Sequence, residues 1–389
     1  MATSAQAGSS LPQHDLEVAE ELKGEEEKIY VAPPWRLMWW RFRRHRMAVV
    51  SAVVLTCFYF VAIFCEFVAP YDPEEFFVKY KMAPPTRIHV RDAEGRWHLP
   101  FVYRIERTVD KETMRSTFAE DTSTRYPIRF FVHGHRYKLC GLVVTDIHLF
   151  GLLVERKEQG VFLLGADRMG RDLFSRLCYG ARLSLSIGLV GVFLSLILGV
   201  VLGGLSGYYG GTLDVIIQRA IELIRTIPSI PLWMALSAAL PANWPVVRVY
   251  FGITVILSLI GWTWMARVVR GRFLALREED FVLAARLVGS GEMRIILRHM
   301  VPSFLSYIIA SLTIAIPNMI LGETGLSFLG LGLRPPAISW GVLLQEAQNV
   351  RSLALSPWVL TPALAVIISV LAFNFVGDGL RDAADPYAR

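Results

Sequence analysis

The dipeptide Gly-Lys occurs nowhere in this 389-residue chain. That excludes a Gly-x-x-x-x-Gly-Lys-Ser/Thr loop, whose backbone cradles phosphates, so the chain is not expected to hydrolyse ATP by itself. It reads as non-catalytic, with no cofactor and no metal. Only four cysteines are present, too few for a disulfide framework. No basic stripe is interleaved with exposed aromatics, so the net charge of +6 gives no support to nucleic-acid binding. The first 34 residues are too polar for a secretory signal peptide. They carry Glu25, Glu26 and Glu27, end in Pro33-Pro34, and read as a disordered tail. Carboxylates are missing from the middle of the apolar runs: Glu66, Asp214, Glu222 and Asp378 all fall near run ends. That speaks against proton or ion coupling.

What the chain has in quantity is hydrophobicity, with 53% hydrophobic residues and a mean hydropathy of +0.43. These values indicate an all-α polytopic membrane protein. Five runs read as spans, at about 47–68, 182–208, 247–266, 301–322 and 357–378. A sixth, about 213–240, is mixed. Asp214, Arg219, Glu222 and Arg225 occupy its first half, and Pro228 and Pro231 interrupt its second. It is taken as a span whose polar half lies at the interface or inside a bundle, because irregular backbone at membrane depth needs protein cover. Arg36, Arg41, Arg43, Arg44 and Arg46 precede the first span, and Arg267, Arg270, Arg272, Arg277, Arg286, Arg294 and Arg298 lie between the fourth and fifth. Six spans put both clusters on the cytoplasmic side, as the positive-inside rule requires, whereas five would set them opposite. Both chain ends are then cytoplasmic.

Residues 70–181 form one outer loop, too long for a plain connection. Its stretches Trp97-His-Leu-Pro-Phe-Val-Tyr-Arg-Ile, Pro127-Ile-Arg-Phe-Phe-Val-His-Gly-His and Leu142-Val-Val-Thr-Asp-Ile-His-Leu-Phe alternate with the period of strands. A small β-rich insert is expected at about 83–162, with the polar stretch 112–125 as a loop. His133 and His135 alternate on one strand near Cys140 and His148, but Arg136 and Lys138 disfavour a cation there. Cys57 and Cys65 read as packing residues of the first span, and pairing of Cys140 with Cys178 outside the membrane stays open. Residues 164–182 read as an amphipathic interfacial helix with Asp172 as cap or salt-bridge partner. Residues 325–341 either line an outer vestibule or merely connect. Gly204-Leu-Ser206-Gly207 has the outline of an intramembrane protease motif, yet none of the eight histidines lies in a span to act as base. It reads as small residues that let helices approach.

The segment from 281 to 302 is the most informative. Phe281, Ala284, Ala285 and Val288 fall at i, i+3, i+4 and i+7, on one helix face. Gly289 sits where a helix should stop, and a second short helix, 292–300, runs into Pro302. An arginine-bearing helical hairpin between two spans reads as a cytoplasmic docking module.

This hairpin resembles the cytoplasmic "EAA" loop of importer permeases of ATP-binding-cassette systems: Glu-Ala-Ala, three residues, Gly, nine residues, Ile, one residue, Leu-Pro. Ala284, Ala285, Gly289 and Pro302 match in register, whereas Leu283, His299 and Val301 replace the Glu, Ile and Leu. Further stretches are similar to the C-type subunits of dipeptide and oligopeptide permeases. They are Trp39-Trp-Arg-Phe-Arg-Arg-His-Arg-Met, Ala69-Pro-Tyr-Asp-Pro73, Leu164-Gly-Ala-Asp to Tyr179-Gly-Ala-Arg182, Leu326-Ser-Phe-Leu-Gly-Leu-Gly332, Pro335-Pro336, Ser339-Trp-Gly341 and Gly377-Asp-Gly-Leu-Arg-Asp382. The insert 83–162 departs from that pattern and is more like the enlarged outer loop of the Yej-type branch.

The resemblance implies a six-helix type I importer (MetI-like) fold in a bacterial inner membrane. Its expected parts are a tail 1–34, a first helix within 35–69, an outer loop 70–181, a five-helix core 182–380 with coupling loop 267–300, and a tail 381–389. It implies ATPase-coupling roles for Phe281, Leu283, Ala284, Ala285, Arg286, Gly289, Glu292, Arg298 and Pro302. Arg286, Arg294 and Arg298 either pair with acidic groups of the ATPase or serve only the positive-inside bias. The implied partners are a B-type permease subunit, one or two ATPase subunits, an extracytoplasmic solute-binding protein and the lipid bilayer. The cargo would be peptides or similar small solutes, and the insert would contact the binding protein or cover the partner permease. An ion-coupled carrier acting alone is the alternative from another class; the lack of mid-depth charges and of an inverted repeat disfavours it. A scaffold or sensor has no support beyond the outer domain.

Overall fold

The computed structural model describes residues 34–109, 116–139, 141–152, 159–241 and 243–384. The expected tail 1–33, Cys140 and the last five residues lie outside them. An amphipathic helix α1 (Pro34–Arg44) stops at His45, whose Nδ1 accepts the amide of Ala48 at 3.1 Å and caps α2 (Arg46–Ile63). One further turn, α3 (Cys65–Val68), follows. The other long helices are α4 (Leu173–Tyr209), α7 (Val246–Leu276), α10 (Leu305–Phe328) and α13 (Thr361–Ala384). Between them lie α5 (Gly211–Thr226), α6 (Ser229–Ala238), α8 (Asp280–Leu287), α9 (Glu292–Arg294), α11 (Trp340–Leu344) and α12 (Val350–Leu355). Among the described residues, five helices are long and apolar enough to cross a membrane, in the regions of α2, α4, α7, α10 and α13. The stretch expected as a mixed sixth span is built as α5 and α6, broken at Ile227–Pro228, where both residues adopt extended backbone. With 37 residues, α4 is about 55 Å long, well beyond a hydrocarbon core of about 30 Å, so it extends past that core.

Small residues decide how the helices meet. Gly199, Gly203 and Gly207 form a stripe on α4 that lies against Met265, Ala266, Arg270 and Phe273 of α7. A Cβ at Gly199 or Gly207 would fall 2.6 Å from a side-chain carbon of Met265 or Phe273. Close packing thus accounts for the Gly-Leu-Ser-Gly sequence, and Ser206 is occupied as a donor to Asp214. At the other end of the chain, Ala383 of α13 packs with Phe42 and Ala48, so α1 and the C-terminal turns share one side.

The insert is an antiparallel meander, β1 (His89–Arg91), β2 (Trp97–Val109), β3 (Ser116–Leu139) and β4 (Val143–Leu152), in that order. The first half of β3 pairs with β2 and its second half with β4, the change of partner falling at Pro127–Ile128. Ser116–Arg125 is therefore strand, which corrects the loop expected there. Polar side chains are tolerated because much of this sheet is open to water, while backbone pairing to β2 fixes the conformation. The insert leaves and re-enters the body through a neck. The Thr86 amide donates to the Phe162 carbonyl at 2.8 Å, and the Phe162 amide donates to Thr86 Oγ1 at 3.0 Å. Beneath it Tyr71, Phe77, Tyr80, Ala83 and Phe162 form an aromatic cluster. His148 is buried, with its ring nitrogens 2.7 Å from the Ala69 carbonyl and 3.2 Å from that of His135. Among the described residues no cluster of three or more His, Cys, Asp or Glu is placed to hold a metal.

The interfacial helix expected over 164–182 is also corrected. Residues 164–172 are turns, with Gly165 and Gly170 at φ near +82 and +84, and Asp167 accepts the amides of Met169 and Arg171. Helix begins at Leu173 and runs unbroken through the membrane crossing. Asp172 caps it, accepting from the Ser175 amide at 2.8 Å and the Ser175 hydroxyl at 2.7 Å. Complete burial pushes the Asp172 carboxyl up to about 7. Cys178 is a free thiol buried beside Cys65, while Cys57 is exposed. In the 325–341 region α10 continues to Phe328, and Trp340 is sealed against α4, its amide donating to Ser184 Oγ and its indole to the Leu177 carbonyl.

Candidate functional site

The hairpin starts later than the charge pattern alone suggests, because α7 continues through Leu276 before the chain turns. Helix α8 then ends in two hydrogen bonds, from Ser290 N to Ala285 O at 3.0 Å and from Gly289 N to Arg286 O at 2.9 Å. This is a Schellman closure, and it requires the left-handed residue that Gly289 supplies at φ +77. After α9, residues Ile295–Met300 form a π-helical segment in which the Val301 amide reaches back to Ile296. The widened turn lies just before Pro302, which has no amide to give to an α-helical ladder.

One side of the hairpin is core. Val282, Ile295, Met300 and Phe304 pack with Tyr208, Met265, Val269 and Phe273. Its other side is an apolar crest in solvent: Leu287 is 88% and Val288 85% exposed, with Phe281, Leu283, Met293 and Leu297 around them. Phe281, Ala284 and Val288 share the outward face as the spacing predicts, but Ala285 turns inward and packs against the bundle. The buried side is set by Val282, one residue away from the expected stripe. Arg298 and Pro302 are exposed, and Arg294 with them.

Two contacts fix the hairpin to the last residues of α4. The Arg286 guanidinium stacks 5.0 Å from the centre of the Tyr208 ring, and Tyr209 Oη donates to Glu292 at 2.6 Å. Arg286 therefore has a partner within the chain. Next to these, Arg270 on α7 holds Asp214 on α5 through two bonds of 2.6 Å. The hairpin is joined to α4, and α7 to α5, by directional contacts.

One polar residue deep in the bundle is not visible as such in the sequence. Glu323 is fully buried on α10 and accepts from Ser327 at 2.8 Å and Ser184 at 3.1 Å. Its place just beyond an apolar run makes it resemble a span end. It corrects the expectation that no ionisable group lies at depth. Arg225 sits exposed at the α5–α6 break.

The sequence comparisons fit this geometry. Residues 199–389 match the family described as "Binding-protein-dependent transport system inner membrane component", and residues 33–85 match the "N-terminal TM domain of oligopeptide transport permease C". The glutathione transport system permease protein GsiD of Escherichia coli is 32% identical over 357 residues, 92% of this chain and 91% of that protein. The chain belongs to this permease family. The oligopeptide transport system permease protein OppC of Haemophilus influenzae is 38% identical over 232 residues, 59% of this chain and 72% of that protein. OppC of Bacillus subtilis is 38% identical over 226 residues, 58% of this chain and 72% of that protein. A solved inward-facing MetNI methionine transporter overlays at a TM-score of 0.41 and 20% identity, covering 54% of this permease and 96% of that chain. As a member of its family the permease has the type I importer fold, in a membrane, with a β-insert between the two matched regions.

Proposed function

We propose that this permease is one half of a heterodimeric translocation unit. It pairs with a B-type subunit, is driven by one or two ATPase subunits and is supplied by an extracytoplasmic solute-binding protein. Peptides or similar small solutes are the cargo, in line with the names of its relatives. The carrying observation is the hairpin: an apolar crest at Leu287 and Val288 stands in solvent on a base tied to α4 by Arg286 and Glu292. Such a knob suits a groove on a partner rather than water. Phe281, Leu283, Ala284 and Gly289 form the contact, Ala285 supports it from beneath, Pro302 ends the hairpin, and Arg298 flanks it with charge. ATP-driven closure of the partner would push the crest, and α4, α5 and α7 would rock between inward- and outward-open states. Both chain ends and the hairpin lie on the cytoplasmic side, as the arginine clusters indicate. The chain itself carries out no hydrolysis.

The test is uptake by the complex in proteoliposomes, with and without internal ATP and the ATPase subunits. Accumulation that needs both supports the reading. Accumulation driven by a proton or sodium gradient without an ATPase would establish the ion-coupled carrier instead. The insert is proposed to touch the binding protein or the partner permease. Removing 85–160 should weaken binding-protein docking or uptake, and no change in either would refute that role.

A further inference from the structure

A cavity of about 780 Å3 lies between the α5–α6 break, α7 and α10. Its wall includes Arg225, Trp233, Trp264, Asn318 and Gly325, and none of its described lining residues is acidic. A second cavity of about 300 Å3 shares Trp264 and Asn318, which stand as the partition between the two.

The depth of Arg225 follows from its helix. Asp214, three turns earlier on α5, is bound to Arg270 near the end of α7, and three turns rise about 16 Å. Ile221, one turn below Arg225, packs with Trp262 and Ala266 in the body of α7. Arg225, itself exposed, thereby stands about one turn inside the end of the crossing, on the same cavity as Ile260 and Trp264. A cation at that depth is retained where it faces water or a counter-charge. Arg219 has such a partner, Glu222 at 2.7 Å; Arg225 has no ion pair among the described residues. The indole Nε1 of Trp233 is likewise buried without a hydrogen-bond partner among them. The broken backbone at Ile227–Pro228 borders the same space, as irregular backbone does where it lines a pathway. A guanidinium without an acidic partner borders a roomy, acid-free cavity walled by two tryptophans. That set favours an anionic group on an apolar body.

Resting on the permease reading above, we propose that this cavity is a transit subsite for a carboxylate-bearing solute, with Arg225 as the group that reads the carboxylate. The guanidinium fork receives both carboxylate oxygens, Asn318 supplies a further donor, and the Trp264 ring carries the apolar part past the partition.

The assembled transporter is tested in proteoliposomes with trialanine and its C-terminal amide, using wild type, Arg225→Gln and Arg225→Lys. The binding protein is the same in all three, so its own preference cancels between variants. Arg225→Gln is expected to lower maximal uptake of the acid about tenfold while changing the amide less than about twofold, with Arg225→Lys, which keeps the charge but not the fork, restoring only part of the loss. Equal loss for acid and amide, or no loss, overturns the proposal. In parallel, Gly325→Cys places a thiol where a Cβ meets nothing within 4 Å. Its reaction rates with anionic and cationic methanethiosulfonates are read after subtracting the parent chain. The anionic-to-cationic ratio should fall at least about tenfold when Arg225→Gln is added, and an unchanged ratio overturns the proposal. This second measurement needs neither cargo nor ATP. Charge-selective labelling in a wild-type complex that imports no peptide would support the anion site and overturn the peptide reading.

Discussion

The guanidinium of Arg270, on α7, grips the carboxylate of Asp214, on α5, through two hydrogen bonds of 2.6 Å. Ser206 of α4 donates to the same carboxylate, and Gln218 in turn donates to Ser206 at 3.1 Å. Three helices meet at one acid. Their side chains remain partly solvated, 31% for Arg270 and 16% for Asp214, so solvent screens part of the attraction.

Arg270→Gln is expected to lower stability by about 1–2 kcal/mol, between the values for surface and buried pairs. The thermal midpoint in detergent measures it. A swapped pair, Asp214→Arg with Arg270→Asp, should recover part of the loss, and no recovery would mean that Ser206 and Gln218 dictate the polarity of the site.

Gly289→Val places a β-branched residue at φ +77, a conformation that costs of order 1–3 kcal/mol. A Cβ there meets nothing within 4 Å, so the effect is conformational rather than steric. Insertion into the membrane should be spared while transport and ATP hydrolysis become uncoupled. Gly289→Asn, which tolerates left-handed backbone, should retain coupling. Ligand-stimulated ATPase activity and uptake, measured on the same complex, decide the matter; full values for the valine variant sink the idea.

Gly207→Val drives a branched side chain into Phe273 and the Arg270 backbone, whereas Gly271→Ala enters open space. The first should separate α4 from α7, costing about 1–3 kcal/mol as overpacking does, and the second should be silent. Yield and melting of the purified chain distinguish them.

Asp172 lies just outside the α4 crossing, and burial raises its carboxyl from 3.8 to about 7. Between those values the unfolded chain has lost the proton that the folded chain keeps. Stability is therefore highest below about pH 4, declines as pH rises toward 7, and is flat above. Asp172→Asn, which cannot ionise, should flatten the change in melting midpoint between pH 5 and 7. An unaltered slope in that variant would assign the pH dependence to other groups.

Much of this was legible in the chain itself. The apolar runs gave the five long helices, and Pro228 marked the break in the mixed one. Asp172 was foreseen as a cap or ion-pair partner, and it caps α4. Gly289 announced the end of α8, because few other residues close a Schellman turn. The misreadings share a cause: composition reports solvent contact, not pairing or depth. Ser116–Arg125 looks like a loop because water reaches it, yet its backbone is committed to β2. Ala285 lies inward because Val282, which the periodic stripe omitted, claims the core. Glu323 looks peripheral because it follows the end of an apolar run, while only tertiary packing shows how far inside the bundle it lies.

The neck at Thr86 and Phe162 has a consequence for the history of this permease. The chain departs into the insert and returns at two backbone positions already in hydrogen-bond contact. Strand β4 also rests on the body, with His148 at the Ala69 carbonyl and Phe150 against Phe174. Neck and seat together hold the insert in one place, so its outer loops can be lengthened or trimmed while the helices below keep their register. Diversity on the outer surface and constancy in the bundle can then evolve independently.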